Sequence, residues 1–494
     1  MNKLLFLILI PLFSKAQILN VKIPDSIIKK ADAVVIENIK KVQILQVDKM
    51  IETSHREVLI LNKQGLNYID AEIYYNKSIN IQNLEIKILN SFGKEIKKIK
   101  KKDMKDFSAS GNSTFMSDNR ILVLDYTPTS YPFTVVIDYE EVNKNTAFIP
   151  SWMPIQGYNV GILKDEFIIE NSSGINLNKK EFNFTNYPQI KFEEEGNKLS
   201  YSLSNYPALE REELAPSYWS FIPFVKFGLE HFYIEGVEGE AENWNEFGKW
   251  VNEKLLSDVG TLPEETKSKI LNLVKGINDP IERAKVVYRF VQNETRYISV
   301  QLGIGGWKPM SAENVSRLGY GDCKALTNYT KALLEVVEVP SYYTIIYAGH
   351  TKQDIVEDLV AMQGTHAILT IPHGDEYLFL ECTSQTDPFN YQGQFTDDRK
   401  ALIINKDGAK IIQTNSFKDE DNKQITKAEV IIDKSGGVNV EGKIKSYGVQ
   451  FEKYHSLEDV SDEKKDNYYK DRFDYINNIS FEVLKQNIDK DKII

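Results

Sequence analysis

Short apolar runs and apolar–polar alternation fill the chain from residue 17 to about residue 207, and this two-residue period is typical of β-strands. Glycine, asparagine, serine and proline separate the segments, of which residues 121–126, 133–139 and 167–170 are examples. Many short strands joined by frequent turns predict an antiparallel, β-sandwich-like domain over residues 17–210. Nothing in this part of the sequence indicates catalysis.

The spacing of apolar residues then changes to three or four, which predicts a series of amphipathic helices. Three of them are indicated by Trp244, Phe247, Val251 and Leu255, by the helix-opening Pro263, and by Ala284, Val287, Tyr288 and Val291. A fourth is predicted over about residues 322–338, where Ala325, Tyr329, Ala332, Leu333 and Val336 share one face before Pro340.

Strand patterns return after the helices. Residues 365–371 and 377–383 read as two strands joined by a turn, and residues 401–404, 425–432 and 438–444 as three more. Helices followed by strands predict an α+β domain over residues 211–400. The later strands predict a C-terminal β-rich domain over residues 401–494. Its charged last stretch, residues 460–494, leaves open an incomplete domain or a helical, partly disordered tail.

Composition narrows the classes of function. The net charge of −11 argues against nucleic acid as a partner. The one basic run, between Lys94 and Lys102, is interpreted as a solvated loop or a strand edge protected by charge. None of the six histidines stands at metal-ligand spacing, and neither a phosphate-binding loop nor a dinucleotide fingerprint occurs. We therefore expect no metal and no cofactor.

The N-terminus indicates export. Asn2 and Lys3 precede an apolar run over residues 4–13, and small residues flank Lys15, as at a signal-peptide cleavage site. The apolar run is about half of the roughly 20 residues that a membrane anchor requires, and no later run is long enough. We therefore predict a cleaved signal over residues 1–16, no transmembrane segment, and a periplasmic, cell-surface or secreted protein.

Only two cysteines occur, Cys323 and Cys382. Cys323 follows Gly321 and Asp322 in the first turn of the predicted fourth helix, where unpaired N–H groups and the helix dipole favour a thiolate. Cys323 is thus either a nucleophile or a buried structural cysteine. Side chains alternate across a strand, so we interpret Cys382 as a buried free thiol, the alternative being a disulfide with Cys323.

The candidate base is His366, on the first strand of the predicted hairpin. If residues 372–375 form a four-residue loop, His366 lies directly opposite Glu381; a loop one residue different brings a neighbour such as Cys382 there instead. In the first register a carboxylate holds the imidazole while the second ring nitrogen faces the thiol. That is the arrangement of Cys-His-acid nucleophilic catalysis.

A Gly-Asp-Cys helix start, a strand that carries His366 and an acid-x-Thr sequence at Glu381 together resemble the bacterial transglutaminase-like superfamily, which has a papain-like fold. The resemblance covers roughly residues 215–400. It implies that Cys323 is the nucleophile, His366 the general base and acid, and Glu381 the orienting carboxylate. The family more often has Asp followed by Pro at the third position, so Asp387 is an alternative. The preceding domain resembles an all-β domain of unknown function found before such cores in exported bacterial proteins.

Residues 296–309 resemble the approach to the nucleophile in this superfamily. By that resemblance Gln301 and Trp307 are candidates for the oxyanion hole, and the backbone N–H of Cys323 is a further donor. The alternatives are a solvated strand residue for Gln301 and a core residue for Trp307.

The sequence thus predicts a thiol-dependent acyl-transfer enzyme acting on peptide or isopeptide amide bonds of a protein or peptide substrate. Hydrolysis is favoured over transfer to an amine by the resemblance, not by particular residues. The alternative is a binding module for a protein or glycan, built on an inactive transglutaminase-like core. The oligomeric state is left undetermined.

Overall fold

The protein is described by a computed structural model that covers residues 22–110, 114–455, 457, 460–473 and 480. The signal segment predicted over residues 1–16 lies outside the described residues, as does most of the tail after residue 473. The chain divides into two compact units. The first unit contains the residues up to 109, residues 119–175 and residues 179–227. The second unit contains residues 110–118, residues 176–178 and the residues from 228 onward.

The chain up to residue 229 is mainly β. After the short helix α1 (Asp25–Ile28), its strands are β1 (Ala33–Gln46), β2 (Lys49–Ile60), β3 (Glu72–Tyr75), β4 (Ile79–Leu89), β5 (Glu95–Lys100), β6 (Lys105–Ser108), β7 (Thr114–Ser117), β8 (Arg120–Val123), β9 (Phe133–Asn143), β10 (Val160–Asn171), β11 (Leu177–Phe182), β12 (Lys191–Glu195), β13 (Lys198–Tyr206) and β14 (Phe224–Leu229). Of these, β7 belongs to the second unit.

Eight strands of the first unit form one sheet in the order β12-β13-β10-β1-β2-β9-β4-β5. The three strands β3, β8 and β6 form a second sheet, and Ile73 and Leu122 on it share a hydrophobic cluster with Ile86 and Val135 of the large sheet. The predicted strands form, but the unit is not wholly antiparallel, because β10 pairs in parallel with β1. The lysine-rich β5 is an edge strand, where charge disfavours pairing with another chain.

The second unit mixes helices and strands. Its further strands are β15 (His231–Ile234), β16 (Val237–Glu240), β17 (Arg296–Tyr297), β18 (Ser299–Gln301), β19 (Tyr320–Gly321), β20 (Tyr342–Ile346), β21 (His366–His373), β22 (Glu376–Leu380), β23 (Lys400–Asn405), β24 (Gly408–Gln413), β25 (Gln424–Ile432) and β26 (Val438–Ser446). Its helices are α2 (Trp244–Trp250), which continues as a π-helix over Val251–Leu256, α3 (Glu264–Leu273), α4 (Pro280–Glu294), α5 (Ala312–Leu318), α6 (Cys323–Val336), α7 (Glu452–His455) and α8 (Asp462–Arg472).

A five-stranded antiparallel sheet, in the order β22-β21-β20-β23-β24, is the centre of this unit. One hydrophobic cluster joins Leu333 of α6 and Val287 of α4 to Leu369 of β21. Burial of these helix faces against the sheet holds the first turn of α6 next to the start of β21. Sequence periodicity predicted four helices here, and α5 is an additional one.

Two domain boundaries differ from those predicted. The first unit extends to residue 227 rather than 210. The boundary predicted at residue 400 falls inside the second unit, because β23 pairs with β20 of the central sheet and β24 pairs with β23. In the described residues, the hairpin of β25 and β26, which is exposed along nearly its whole length, a short 3-10 helix at Gly448–Gln450 and the helices α7 and α8 follow. Within the described residues, no helix is both long enough and apolar enough to cross a bilayer.

Candidate active site

Cys323 occupies the first position of α6. Asp322 precedes the helix in an extended conformation, and its Oδ1 accepts a hydrogen bond from the N–H of Ala325 at 3.0 Å, which makes it the N-cap. Its Oδ2 pairs with Nζ of Lys324, which is also buried. A Cβ atom on Gly321 would lie 2.8 Å from the Cβ of Ala325, so a glycine allows the strand to turn tightly into the helix. The glycine, the aspartate and the lysine of the Gly-Asp-Cys-Lys sequence are therefore explained by the local structure at the start of α6.

His366 begins β21, directly opposite Ile346 of β20. Its side chain is buried, and its Nε2 lies 3.1 Å from Oε1 and 2.9 Å from Oε2 of Glu381. The thiol of Cys323 lies close enough to the ring that each group shifts the pKa of the other. Because Nε2 faces the carboxylate, Nδ1 is the nitrogen left for the sulfur. The structure thus brings together the three residues predicted to form the site.

The hairpin reaches this arrangement through a register that differs from the predicted one. Its turn contains two residues, Gly374 and Asp375, rather than four, and His373 pairs with Glu376. Gly374 has φ 62, at the loop position where a type II′ turn requires a positive φ. The pairing is therefore shifted by two residues, so that His366 and Glu381 are not opposite each other. An even shift leaves both side chains on the same face of the sheet.

Glu381 lies just beyond the end of β22 and is held by the threonine two residues later. Oε1 of Glu381 accepts hydrogen bonds from the backbone N–H of Thr383, at 3.1 Å, and from its hydroxyl. The hydroxyl of Tyr288 on α4 donates to the carbonyl oxygen of Glu381 at 3.0 Å. These contacts orient the carboxylate toward His366 and explain the acid-x-Thr sequence.

Burial and charge act in opposition in this cluster. Burial alone raises the pKa of Cys323, but the hydrogen bond and positive charge of His366 outweigh it, and the pKa of the thiol is lowered. Burial alone lowers the pKa of His366, but Glu381 and Cys323 outweigh it, and the imidazole pKa is raised. Burial alone raises the pKa of Glu381, but the charge of His366 and its hydrogen bond outweigh burial, and the pKa of the carboxyl group is lowered. The cluster therefore favours a thiolate, an imidazolium and a carboxylate.

Cys382 faces the opposite side of the sheet. It is a free thiol, 4% exposed, in the hydrophobic cluster with α6. Burial raises its pKa to about 12, with partial compensation from hydrogen bonds to Thr330 and Thr327. The prediction of a buried free thiol is confirmed.

The alternative carboxylate, Asp387, has a different histidine as its partner. Its Oδ1 lies 2.8 Å from Nε2 of His455 on α7, and the hydroxyl of Thr386 lies 3.1 Å from the same nitrogen. Glu381, rather than Asp387, contacts His366. The glutamate in the position where the family more often has aspartate is therefore long enough to reach the ring.

The two oxyanion candidates lie on the approach to β19. Gln301 ends β18, is exposed, and pairs through its backbone with Ser117. Trp307 is half-buried and directly follows a short 3-10 helix, Gly303–Gly306. Among the described hydrogen bonds and charge interactions, none joins Gln301 to Cys323. The structure therefore leaves its predicted role as a proposal.

Two aromatic residues near the site were missed by sequence reasoning. Tyr297 pairs with Gly321 across β17 and β19 and is 39% exposed, and burial followed by the charge of Cys323 raises its pKa. Phe395 is 47% exposed, with its ring centroid 5.2 Å from that of His366. Both side chains are therefore partly exposed to solvent. Tyr297 lay within the stretch that resembled the approach to the nucleophile, but only strand pairing shows its position.

The described residues contain no group of three or more His, Cys, Asp or Glu side chains that could hold a metal ion.

Residues 48–210 match the family DUF3857, a domain of unknown function with a solved structure. No curated protein sequence matches the chain. The predicted resemblance of the N-terminal β domain to a domain of unknown function is confirmed for these residues.

Among solved structures, a "putative protease" from Parabacteroides distasonis aligns with 82% of this chain over 78% of its own, at 15% identity and a TM-score of 0.56. A "putative cysteine protease" from Cytophaga hutchinsonii aligns with 80% of this chain over 90% of its own, at 10% identity and a TM-score of 0.21, too low to establish a common fold. The first comparison shows a similar multidomain fold.

Proposed function

We propose that this protein is a thiol-dependent acyl-transfer enzyme that cleaves amide bonds of peptides or isopeptides, with Cys323 as the nucleophile. The observation that carries the proposal is the contact of Cys323, at the N-terminus of α6, with a buried imidazole that Glu381 holds from its other side. The packing of α6, which begins at Cys323, against the strand that carries His366 supports the papain-like, transglutaminase-like core that the sequence resemblance implies. The similarity in fold to a structure named as a protease supports the same class.

In the first half of the reaction, the Cys323 thiolate attacks the amide carbonyl carbon and a C–S bond forms. The imidazolium of His366 gives its proton to the amide nitrogen as the C–N bond breaks, which releases an amine and leaves a thioester. Glu381 stabilises the imidazolium before this transfer and fixes the orientation of the ring.

In the second half, water attacks the thioester while His366 accepts its proton. The C–S bond then breaks, the carboxylic acid leaves, and the thiolate is restored beside the imidazolium. An amine in place of water gives transamidation with the same residues. We favour hydrolysis, with a protein or peptide as the substrate class.

The developing oxyanion requires hydrogen-bond donors. The backbone N–H of Cys323 is one, because the first N–H groups of a helix have no acceptor within the helix. We propose Tyr297 as the second donor, since strand pairing places it opposite Gly321, two residues before Cys323, and the charge of Cys323 contributes to the raised pKa of its hydroxyl. Gln301 and Trp307 are the other candidates for this position.

The first test is the pH dependence of alkylation by iodoacetamide, followed at both cysteines by mass spectrometry. We expect Cys323 to react with an apparent pKa well below the usual value of about 8.5, and this value to rise in the variant His366→Ala. Cys382, whose pKa is raised by burial, is the internal control and stays unreactive in the folded protein.

A Cys323 that reacts no faster than Cys382, or whose pH profile is the same in His366→Ala, counts against the enzyme. It then favours the alternative function, a binding module that retains the fold without the chemistry. A disulfide between the two cysteines has the same consequence.

A further inference from the structure

A polar cleft lies in the first unit, and the cysteine site uses none of its residues. The cleft has a volume of about 380 Å³. Tyr68, Trp152 and Phe167 provide aromatic walls, and charged side chains from β1, β2 and β10 provide its floor. A volume of this size suits a ligand of a few tens of atoms or fewer.

The charged floor follows from the alternation of β2. Every second residue of this strand from Met50 to Ile60 is buried, but three of these inward positions hold the polar residues Glu52, Ser54 and Arg56. An inward face normally takes apolar side chains, because a buried charge without a partner is costly. Glu52 has a partner, since its Oε1 lies 2.8 Å from Nζ of Lys40.

Arg56 is different. It is 5% exposed, and its Nη2 donates to the carbonyl oxygen of Tyr68 at 3.2 Å. Its Nε and Nη1 atoms have no hydrogen-bond partner anywhere in the described chain. A guanidinium remains charged in proteins, so two of its donor atoms are buried in the cleft without an acceptor.

Acidic groups beside Arg56 complete the cleft. Asn38 stands between Arg56 and Asp165 on neighbouring strands, and the three residues lie side by side across β2, β1 and β10. Asp165 is 1% exposed, and its two oxygens accept hydrogen bonds of 2.7 Å from Asn38 and from the indole N–H of Trp152. Asp70 also lines the cleft. The unpartnered donors are thus positioned within reach of a carboxylate-rich wall.

We infer that this cleft binds a small zwitterion, an amino acid or short peptide whose carboxylate pairs with the guanidinium of Arg56 and whose ammonium group faces Asp70 and Asp165. Lys40 and Glu166 also line the cleft, but the charge of Lys40 is already paired with Glu52. Charge balance therefore favours this chemistry over a phosphate, because the acidic side chains would repel a doubly charged anion while Arg56 can neutralise a single carboxylate. The aromatic walls accommodate the remaining apolar part of the ligand. The inference is independent of the proposed catalysis.

The test is calorimetric titration of the full chain carrying Cys323→Ala, so that no probe is consumed at the cysteine. The probes are L-alanyl-L-phenylalanine, its C-terminal amide and its N-acetyl form, with free L-phenylalanine to distinguish an amino acid from a peptide. We expect at least one free acid to bind, and the amide to bind at least tenfold more weakly, the effect of one lost hydrogen bond to a charged group.

In the variant Arg56→Gln we expect the same tenfold loss for the acid and no change for the amide. Arg120→Gln is the matched control, since this arginine is on the surface of the same unit and pairs with Asp106 outside the cleft. Circular dichroism checks that both variants are folded. If Arg56→Gln does not fold, the comparison of the acid with the amide still tests the inference, because it is made on the protein with an intact Arg56.

Three results overturn the inference. The first is that neither free acid binds up to about 10 mM, a limit that corresponds to a binding free energy of only a few kcal/mol. The others are equal binding of the acid and the amide, or an unchanged affinity for the acid in a folded Arg56→Gln variant. The last result would place the bound peptide elsewhere, for example at the cysteine site. A failure here leaves the alkylation test of Cys323 unaffected, so the two proposals are judged separately.

Discussion

Nε2 of His366 lies 2.9 Å from Oε2 of Glu381, although the two residues are not partners across their hairpin. Compared with the four-residue loop that the sequence suggested, the two-residue turn shifts the strand register by two positions. A shift by an even number keeps both side chains on the same face of the sheet. The length of the glutamate and the two hydrogen bonds from Thr383 bring the carboxylate to the ring. The contact therefore depends on the parity of the register and on the side-chain length.

The first prediction concerns the charge of Glu381. In Glu381→Gln the neutral amide no longer stabilises the imidazolium of His366, so the thiolate of Cys323 loses its counterion. We expect hydrolysis of p-nitrophenyl acetate by the variant to fall by about 10²-fold or more, the usual scale of acid–base catalysis. Steady-state rates at neutral pH provide the measurement.

Glu381→Asp is the matched control for that substitution. It retains the charge on a shorter side chain and should keep more activity than Glu381→Gln. Equal losses in both variants would show that the position acts through packing and not through charge.

The second prediction is the pH dependence of amide hydrolysis, measured with a peptide p-nitroanilide. The lowered pKa of Cys323 means that the thiolate forms, and the rate rises, at a pH below the usual thiol range. His366 must remain protonated to serve the leaving group, and burial opposed by Glu381 and Cys323 leaves its pKa raised to about 10. The rate should therefore fall again only near that pH, not near 6.5. An alkaline limb at the pH of an ordinary histidine would contradict the ion pair.

The third prediction separates the oxyanion candidates. Removing one donor from an oxyanion hole costs about 10²–10³ in rate. We expect Tyr297→Phe to show a loss in this range in ester hydrolysis, with the rate of Cys323 alkylation nearly unchanged, because the hydroxyl acts on the substrate oxygen. Gln301→Ala and Trp307→Phe, measured in parallel, should lose less. The reverse order would assign the donor to Gln301 or Trp307, as the resemblance implied.

The fourth prediction tests the packing behind the central sheet. A Cβ atom on Gly248 of α2 would lie 2.3 Å from the backbone carbon of Gly408, which leaves no space for a methyl group. Gly248→Ala should lower the free energy of unfolding by about 1–3 kcal/mol through overpacking. Urea unfolding provides the measurement.

Gly260→Ala is the control for that experiment, because nothing lies within 4 Å of a Cβ atom at this position. It should change the free energy of unfolding by no more than about 1 kcal/mol. A destabilisation of Gly260→Ala as large as that of Gly248→Ala would show that loss of glycine flexibility, not contact with β24, is responsible.

Local features of the chain were predictable. The start of α6 near residue 322, the periodicity of α6 and the strands that carry His366 and Glu381 depend on neighbours within a few residues, and the sequence indicated each of them. The predicted set of Cys323, His366 and Glu381 is accordingly the set that the structure brings together.

The sequence by itself determined which segments become helices and strands and which residue types could react. Only the tertiary structure decided that β23 pairs into the central sheet, that Tyr297 pairs with Gly321 just before α6, and that Arg56 is buried without enough acceptors. These features arise from pairing between segments far apart in the chain. Periodicity reports which face of a segment is buried but not which segment lies against it, and that choice is made by long-range packing.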